Sequence, residues 1–222
     1  MAYRFYKVEG PDLVAGWLNR RLESLAKERQ SILVLLSGGS AIDLAVKLRQ
    51  KLDVSSASYC FSLVDERYGP VGHNDSNWAQ LEKAGFDFRG VSAHPVLSGK
   101  SLDETTESFD NYLKGALTNF GYIAGLFGMG ADGHTAGILP GSKAASSQSF
   151  VTCYKGPDYQ RITTTPKFIA KINEAFLYAM GDNKWEQIDS LKQELPIAKQ
   201  PAQVLKSVPK LTVFNDHEGG SL

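Results

Sequence analysis

The chain has 222 residues, and its 24 Lys and Arg residues balance its 24 Asp and Glu residues. Such a neutral chain has no overall field that would attract a nucleic acid or a membrane, so any anion site must be local. The length, together with an ordinary 42% hydrophobic and 22% charged residues, suits one domain over residues 1–222.

Two further features bear on where the protein works. The first residues do not have the pattern of a signal peptide, and no apolar segment approaches the ~20 residues that span a bilayer. Cys60 and Cys153 lie in apolar stretches without metal-ligand spacing, so we expect reduced core thiols. We therefore expect a cytoplasmic protein with neither a membrane partner nor a nucleic-acid partner.

Apolar runs and periodic patterns alternate along the chain. The strand-like runs, which are short and rich in aliphatic and aromatic residues, are residues 3–8, 31–36, 59–64, 93–97, 122–127, 150–154, 161–165, 175–180 and 211–214. The helix-like segments, with apolar residues spaced near 3.6, begin near residues 11, 42, 77, 102, 166, 185 and 201. This alternation predicts an α/β fold in which a mostly parallel sheet carries helices on both faces. Residues 218–222 lack packing side chains until the last position, so we expect them to fray.

A glycine-rich loop, residues 128–141, follows the strand-like run at residues 122–127. Its five glycines and one proline suit a shaped turn with unusual backbone angles. Asp132 and His134 stand two residues apart in this loop, and an imidazole can transfer a proton near neutral pH. Open α/β sheets bind ligands at strand ends of this kind, which favours a catalytic pair. The alternative is a tight turn in which His134 caps a helix.

Polar or glycine-rich residues follow three other predicted strands. These sets are Ser37, Gly38, Gly39 and Ser40, then Asp65, Glu66 and Arg67, and finally residues 181–184, which end in Lys184. Because the carboxyl ends of parallel strands meet at one edge of a sheet, we expect a single crevice that contains all the sets. The turn at residues 37–40 either offers its backbone N–H groups to an anion or is simply a turn.

Three cations near these strand ends are candidate ligands for an anion. The guanidinium of Arg67 matches a phosphate in geometry, and the alternative is a salt bridge to Asp65 or Glu66. Arg161 and Lys184 are either further ligands or solvated surface charges. No group of His, Cys and acidic residues has a defensible metal spacing, and the sequence has no GxSxG elbow.

These motifs together resemble the 6-phosphogluconolactonase family. The matching segments are Ser37-Gly38-Gly39-Ser40, Asp65-Glu66-Arg67, Ser76-Asn77, residues 128–136 with Leu139-Pro140-Gly141, Arg161-Ile162-Thr163 and residues 181–184. The resemblance implies a Rossmann-like α/β fold that is shared with glucosamine-6-phosphate deaminases. It also implies hydrolysis of 6-phospho-D-glucono-1,5-lactone to 6-phospho-D-gluconate, a step of the pentose phosphate pathway, without a metal or cofactor.

The resemblance also implies roles for single residues. His134 would be the general base that takes a proton from the attacking water, and Asp132 would orient it. Arg67 and the turn at residues 37–40 would hold the phosphate. The additional anion contacts would be Arg161 and Lys184. The partner would then be a small phosphosugar lactone, and the protein a monomer or a small homo-oligomer.

Two alternatives stay open, and the first rests on two departures from the family pattern. The family usually has a threonine where this chain has Ala41, and Ser-Leu-Phe-Pro where residues 137–140 begin with Gly137. A weakly active sugar-phosphate-binding protein is therefore one alternative. The other is a glucosamine-6-phosphate deaminase and isomerase, whose relatives carry a glutamate shortly after the histidine. Residues 135–140 contain no acidic residue, which favours the lactonase.

Overall fold

A computed structural model of the chain describes residues 2–29, 31–55 and 58–222. Its strands, numbered in chain order, are β1 (Ala2–Lys7), β2 (Ser31–Leu36), β3 (Ser58–Leu63), β4 (Asp65–Arg67), β5 (Ser92–Ala93), β6 (Tyr122–Gly128), β7 (Val151–Lys155), β8 (Gln160–Thr164), β9 (Glu174–Ala179), β10 (Lys210–Asn215) and β11 (Gly220–Ser221). Its α-helices are α1 (Pro11–Glu28), α2 (Ile42–Lys51), α3 (Asn77–Lys83), α4 (Leu102–Asn119), α5 (Pro166–Ile169) and α6 (Trp185–Leu191). None of these described helices has both the length and the apolar character needed to cross a bilayer.

Eight of the described strands form one sheet in the order β11-β1-β10-β9-β6-β2-β3-β5. Every neighbouring pair in this sheet is parallel. Strands β2, β6 and β9 lie in its interior, and nearly all of their residues are buried. Burial on both faces explains why these strands appear in the sequence as unbroken apolar runs. The predicted mostly parallel sheet is confirmed.

Helices cover both faces of this sheet, as adjacent residues of β3 show. Neighbouring side chains of a strand point to opposite faces. The Sγ atom of Cys60 lies 3.4 Å from the hydroxyl of Tyr112 in α4, whereas the hydroxyl of the adjacent Tyr59 donates to the carbonyl of Leu22 in α1 at 3.4 Å. The predicted α/β architecture is therefore confirmed. Cys60 and Cys153 are both free, as expected, but only Cys60 is a core thiol, because Cys153 is partly exposed.

A second sheet of three strands was not part of the sequence prediction. Its order is β4-β8-β7, and both pairs are antiparallel. Residues 65–67, which the sequence pattern places beyond a strand end, form β4 themselves. Strands β7 and β8 are joined by residues 156–159, a connection too short for a parallel crossover, so they form a hairpin. This sheet places Arg67 and Arg161 on neighbouring strands.

The last residues form a strand, although their composition predicted that they would fray. Gly220 and Ser221 form β11, which pairs with Tyr6 and Lys7 of β1. Backbone hydrogen bonds form this ladder without packing side chains, which is why the composition of the segment did not reveal it. The side chain of Asn215 supports the preceding turn, because its Oδ1 accepts the N–H groups of residues 217 and 218.

Candidate active site

A cavity of about 290 Å³ opens where strands β2, β6 and β9 end. Its lining residues are Ser37, Gly38, Gly39, Ser40, Asp65, Arg67, Asn77, Gly128, Met129, Gly130, His134, Ala136, Gly137, Arg161 and Lys184. All the predicted site residues are in this set except Asp132, which contacts His134 instead. The predicted residues therefore meet around one cavity, and the role of each stays a prediction.

The turn after β2 brings backbone close to neighbouring side chains. Gly39 has a φ of 62°, in the left-handed region that glycine adopts freely. A Cβ at Gly38 would lie 2.0 Å from Asn77 Oδ1, so this close approach requires a glycine. The 3-10 helix Gly39–Ala41 begins here, and the first N–H groups of a helix have no partner within it. The hydroxyl of Ser37 is buried and also has no partner among the described residues.

Lys184 reaches the same turn from the segment that follows β9. Its Nζ atom donates to Ser40 Oγ at 3.2 Å, and the residue is only 9% exposed. Burial lowers the pKa of Lys184, although the charge of Asp216 opposes this effect. The alternative of a solvated surface charge is therefore wrong for Lys184. An ammonium group in a cavity with one hydroxyl partner is suited to receive an anion.

The loop after β6 holds His134 and Asp132 in contact. The Nδ1 atom of His134 lies 2.6 Å from Asp132 Oδ1, and its backbone N–H donates to the same oxygen at 3.1 Å. Gly130 donates its N–H to the carbonyl of His134 at 3.0 Å, and a Cβ at Gly130 would lie 2.2 Å from the imidazole. The next helical residues are Lys143–Ser146. The alternative in which His134 caps a helix is therefore wrong.

The carboxylate of Asp132 fixes the tautomer of His134. Partial burial raises the pKa of Asp132, but the hydrogen bonds and charge of His134 outweigh it, so the pKa lies below its ordinary value. An ionised carboxylate can only accept hydrogen bonds, so Nδ1 of His134 carries a proton. In the neutral ring, Nε2 is then the atom that can accept another proton.

Arg67 and Arg161 stand directly opposite each other on β4 and β8. Neither makes an ion pair with a described carboxylate, and the Nε atom of each is buried without a partner in the described part of the chain. The salt-bridge alternative for Arg67 is therefore wrong. Arg161 is 8% exposed, so it is not a solvated surface charge either. Like charges directly opposite each other destabilise a sheet, so a bound anion would stabilise this pair.

Glu66 binds the start of α3 and does not line the cavity, although it lies between two residues that do. It is fully buried, and its carboxylate accepts the Ser76 hydroxyl at 2.9 Å and the N–H groups of Asn77 and Trp78 at 2.6 and 3.2 Å. A carboxylate at a helix N-terminus is favourable, because it accepts unpaired N–H groups and meets the positive end of the helix dipole. Glu66 therefore anchors the start of α3 beside the cavity.

Sequence reasoning gave no role to Asp65 and Asn77, which also line the cavity. The Nδ2 atom of Asn77 donates to the backbone carbonyl of Asp65 at 2.9 Å. Burial raises the pKa of Asp65, against the opposing charges of Arg161, Arg67 and His134. The signal that could have identified Asp65 is its position at the carboxyl end of β3. Asn77 belongs to the Ser76-Asn77 segment that resembles the family, but its position in the sequence predicted only the start of a helix.

Asp65 is expected to make the stability of the protein depend on pH. Because its pKa is raised by burial, folding favours the protonated carboxyl. This contribution is present in full below pH ~4, the value of an unfolded aspartate, and is lost as pH rises through the folded pKa. The difference in unfolding free energy between the wild type and Asp65→Asn should therefore fall as pH rises. Urea denaturation at several pH values measures this difference.

Asp87→Asn is the matched control for this measurement. Hydrogen bonds from Arg89 lower the pKa of Asp87 to about 2, so its contribution to stability changes only below pH ~4. If the difference in unfolding free energy between the wild type and Asp65→Asn grew as pH rises, the pKa of Asp65 would not be raised by folding.

The backbone beyond His134 is held in an unusual conformation. Ala136 and Gly137 have φ angles of 51° and 68°, and the left-handed region is strained for alanine. The hydroxyl of Thr163 donates to the carbonyl of Ala136, and the hydroxyl of Tyr154 donates to that of Gly137 at 2.6 Å. A Cβ at Gly137 would lie 2.7 Å from Asp65 Oδ2, so the serine usual in the family would collide here. The N–H groups of Ala136 and Gly137 have no acceptor among the described residues.

The chain is similar to 6-phosphogluconolactonases over most of its length. The family described as glucosamine-6-phosphate isomerases/6-phosphogluconolactonase matches residues 11–213. The 6-phosphogluconolactonase of Thermotoga maritima is 23% identical over 209 residues, which cover 91% of this chain and 92% of that protein. That of Helicobacter pylori strain J99 is 29% identical over 191 residues, which cover 82% of each chain.

Solved structures share the fold. The crystal structure of the Thermotoga maritima 6-phosphogluconolactonase superposes with a TM-score of 0.84 at 23% identity, covering 96% of this chain and 99% of that one. The crystal structure of a 6-phosphogluconolactonase from Shewanella baltica superposes with a TM-score of 0.80 at 20% identity, covering 96% of this chain and 97% of that one. The family match spans nearly the whole sheet and every element that lines the cavity. The chain therefore belongs to the glucosamine-6-phosphate isomerase/6-phosphogluconolactonase family.

Proposed function

We propose that this chain hydrolyses 6-phospho-D-glucono-1,5-lactone to 6-phospho-D-gluconate. The relatives from Thermotoga maritima and Helicobacter pylori carry the name of this activity. The observation that carries the proposal is the set of residues that line the cavity. The cavity is lined by His134, which Asp132 supports, and by three cations that make no ion pair with a described carboxylate, which are Arg67, Arg161 and Lys184.

His134 is the general base in this proposal. Its Nε2 takes a proton from a water molecule while the water oxygen attacks the carbonyl carbon of the lactone. Asp132 holds the ring through Nδ1 and stabilises the imidazolium that forms. When the tetrahedral intermediate collapses, the bond from the carbonyl carbon to the ring oxygen breaks. The imidazolium then returns its proton to that oxygen, which becomes a hydroxyl of the product.

Negative charge develops on the carbonyl oxygen during the attack, and it requires hydrogen-bond donors. The N–H groups of Ala136 and Gly137 belong to residues that line the cavity, and they have no acceptor among the described residues. We assign them to the oxyanion, because donors fixed before the reaction stabilise developing charge most effectively. A lactone is an activated ester, so a base and these donors suffice without a covalent nucleophile.

The phosphate of the substrate matches the charge of the cavity. Arg67, Arg161 and Lys184 contribute three positive charges against Asp65, the one acidic residue among the lining residues. In a chain with no net charge, this local excess is what an anion site requires. Arg67 and the turn at residues 37–40 hold the phosphate, and Arg161 and Lys184 add further contacts. Binding of the phosphate away from the carbonyl orients the lactone for attack.

Deamination of glucosamine 6-phosphate is the second candidate, because the family includes isomerases of that sugar. That chemistry moves a proton between two carbons and needs another acid or base near the histidine. Residues 135–140 provide none. Asp65 is the acidic residue among those that line the cavity, and in the described contacts its carboxylate accepts a hydrogen bond from Asn77 Nδ2 at 3.4 Å and none from His134.

A binding protein with little activity is the third candidate, suggested by Ala41 and Gly137. Ala41 is fully buried behind the turn and is not among the residues that line the cavity. Gly137 fits a backbone that leaves no space for a side chain. The departure at Gly137 therefore suits the geometry of this cavity, which speaks against an eroded site.

An assay with two substrates separates these candidates. We expect the protein to hydrolyse 6-phospho-D-glucono-1,5-lactone faster than buffer alone and to release no ammonia from glucosamine 6-phosphate. The lactone also hydrolyses unaided, so each rate is compared with a buffer blank. Ammonia release would favour the deaminase. A hydrolysis rate equal to the blank, together with calorimetric binding of 6-phospho-D-gluconate, would favour the binding protein.

A further inference from the structure

Tyr159 lies at the tip of the β7–β8 hairpin, next to the two arginines of the cavity. The Gly156 N–H donates to the carbonyl of Tyr159 at 2.8 Å and closes the turn. The Cζ atom of Arg67 lies 4.8 Å from the centre of the Tyr159 ring, and that of Arg161 lies 5.7 Å from it. Both distances are within the range of a cation–π interaction. One ring therefore contacts both guanidinium groups.

This shared contact addresses an electrostatic problem in the second sheet. Arg67 and Arg161 are direct cross-strand partners, and like charges in such positions repel each other. Each has a buried Nε atom without a partner in the described chain, and neither makes an ion pair with a described carboxylate, although both charges act on the buried Asp65. The negative face of an aromatic ring attracts both cations without neutralising either. The pair therefore keeps its full charge for a ligand.

Further contacts restrict the positions of these side chains. The Tyr159 hydroxyl lies 3.5 Å from Asp75 Oδ1, and the backbone carbonyl of Asp75 accepts Nη1 of Arg67 at 3.1 Å. A Cβ at Gly156 would lie 3.0 Å from Nε of Arg161, so the hairpin also packs closely against the second arginine. The hairpin tip, the segment after β4 and both arginines thus form one connected unit.

We propose that Tyr159 is a positioning residue that holds Arg67 and Arg161 as a preformed clamp for a phosphate group. This proposal rests on the proposed lactonase function for the identity of the substrate. Tyr159 does not touch the reacting atoms; it fixes the two guanidinium groups before the ligand arrives. Preformed groups lose less conformational freedom on binding, so the benefit appears as affinity for the phosphorylated ligand.

The test compares phosphorylated and unphosphorylated 1,5-gluconolactone as substrates. Tyr159→Leu removes the ring, and we expect its kcat/KM for the phosphorylated lactone to fall about fivefold to tenfold relative to that for the unphosphorylated one. The loss should appear in KM rather than in kcat. Tyr159→Phe keeps the ring and should retain the wild-type ratio within about twofold.

Phe5→Leu is the matched control, because it removes a ring near another cation. Lys192 Nζ lies 5.8 Å from the centre of the Phe5 ring, and Phe5 does not line the cavity. This variant should keep the wild-type ratio of kcat/KM values for the phosphorylated and unphosphorylated lactones. An equal loss on both lactones in Tyr159→Leu would indicate a general structural role and overturn the proposal. An unchanged ratio in that variant would overturn it as well.

Failure of the lactonase function can be distinguished from failure of the clamp. If the wild type hydrolyses neither lactone, calorimetric titration with 6-phospho-D-gluconate replaces the assay. Binding that is about fivefold to tenfold weaker in Tyr159→Leu than in the wild type would support the clamp. Equal binding in the two proteins, or no binding to the wild type, would overturn it.

Discussion

The His134→Ala variant is expected to hydrolyse 6-phospho-D-glucono-1,5-lactone roughly 10²- to 10⁴-fold more slowly than the wild type, because it lacks the proposed general base. In the wild type, Asp132 accepts a hydrogen bond from the protonated Nδ1 of His134, and Nε2 is left free to take a proton from water. The His134 side chain is 38% exposed, so its removal should change the free energy of unfolding little. Initial rates corrected for the buffer blank measure the effect, and urea denaturation checks that the variant is folded.

His217→Ala is the matched control for this variant. The Nε2 atom of His217 lies 3.2 Å from Asp189 Oδ2, so it forms a second histidine–aspartate pair, and neither residue lines the cavity. We expect its kcat to equal that of the wild type. A rate for His134→Ala equal to the wild-type rate would remove His134 from the mechanism. Equal losses in both variants would indicate instability rather than loss of a base.

The interior of the main sheet could be read from the sequence because its strands are buried on both faces. Strands β2, β6 and β9 are continuous apolar runs, and each was predicted to within one residue at either end. The helices between them follow from apolar spacing near 3.6. Alternation of the two kinds of segment leaves few topologies, and the parallel sheet is the commonest of them.

The second sheet could not be read in the same way. Strand β4 has only three residues, all charged, and its partner β8 lies almost one hundred positions further along the chain. Neither strand propensity nor periodicity signals such a pairing, because its stability comes from the partner and from burial. The β7–β8 hairpin was predicted as two strands, but its separation from the main sheet depends on this distant contact.

The candidate site was predictable in its location and only partly in its composition. Glycine loops at the ends of parallel strands point to one edge of the sheet, which is why His134 and Arg67 were expected together. The difference between Asp65 and Glu66 was not predictable. Both are charged and adjacent, but Asp65 lines the cavity whereas Glu66 accepts the N–H groups at the start of α3. Only the course of the chain after β4 decides which carboxylate faces the site.

Arg161→Gln is expected to lower kcat/KM for the phosphorylated lactone by roughly two to three orders of magnitude, or about 3–4 kcal/mol. The loss is large because the guanidinium is 8% exposed and its Nε has no partner in the described chain, so a phosphate in the cavity would be a direct partner for a largely desolvated charge. Arg161→Lys restores the charge but not the planar fork, and it should recover only part of the loss. Arg89→Gln, which removes an exposed arginine paired with Asp87, is the control and should behave as the wild type.

Ligand-dependent thermal stability gives a second measurement of the same interaction. Binding to the folded state alone raises Tm as ligand concentration rises, so 6-phospho-D-gluconate should stabilise the wild type and Arg89→Gln. It should stabilise Arg161→Gln much less at the same concentration, because the variant has lost one of the two opposed guanidinium groups. An Arg161→Gln protein with the wild-type rise in Tm would mean that the phosphate binds at the other end of the cavity. Lys184 and the turn at residues 37–40 would then hold the anion without the arginine pair.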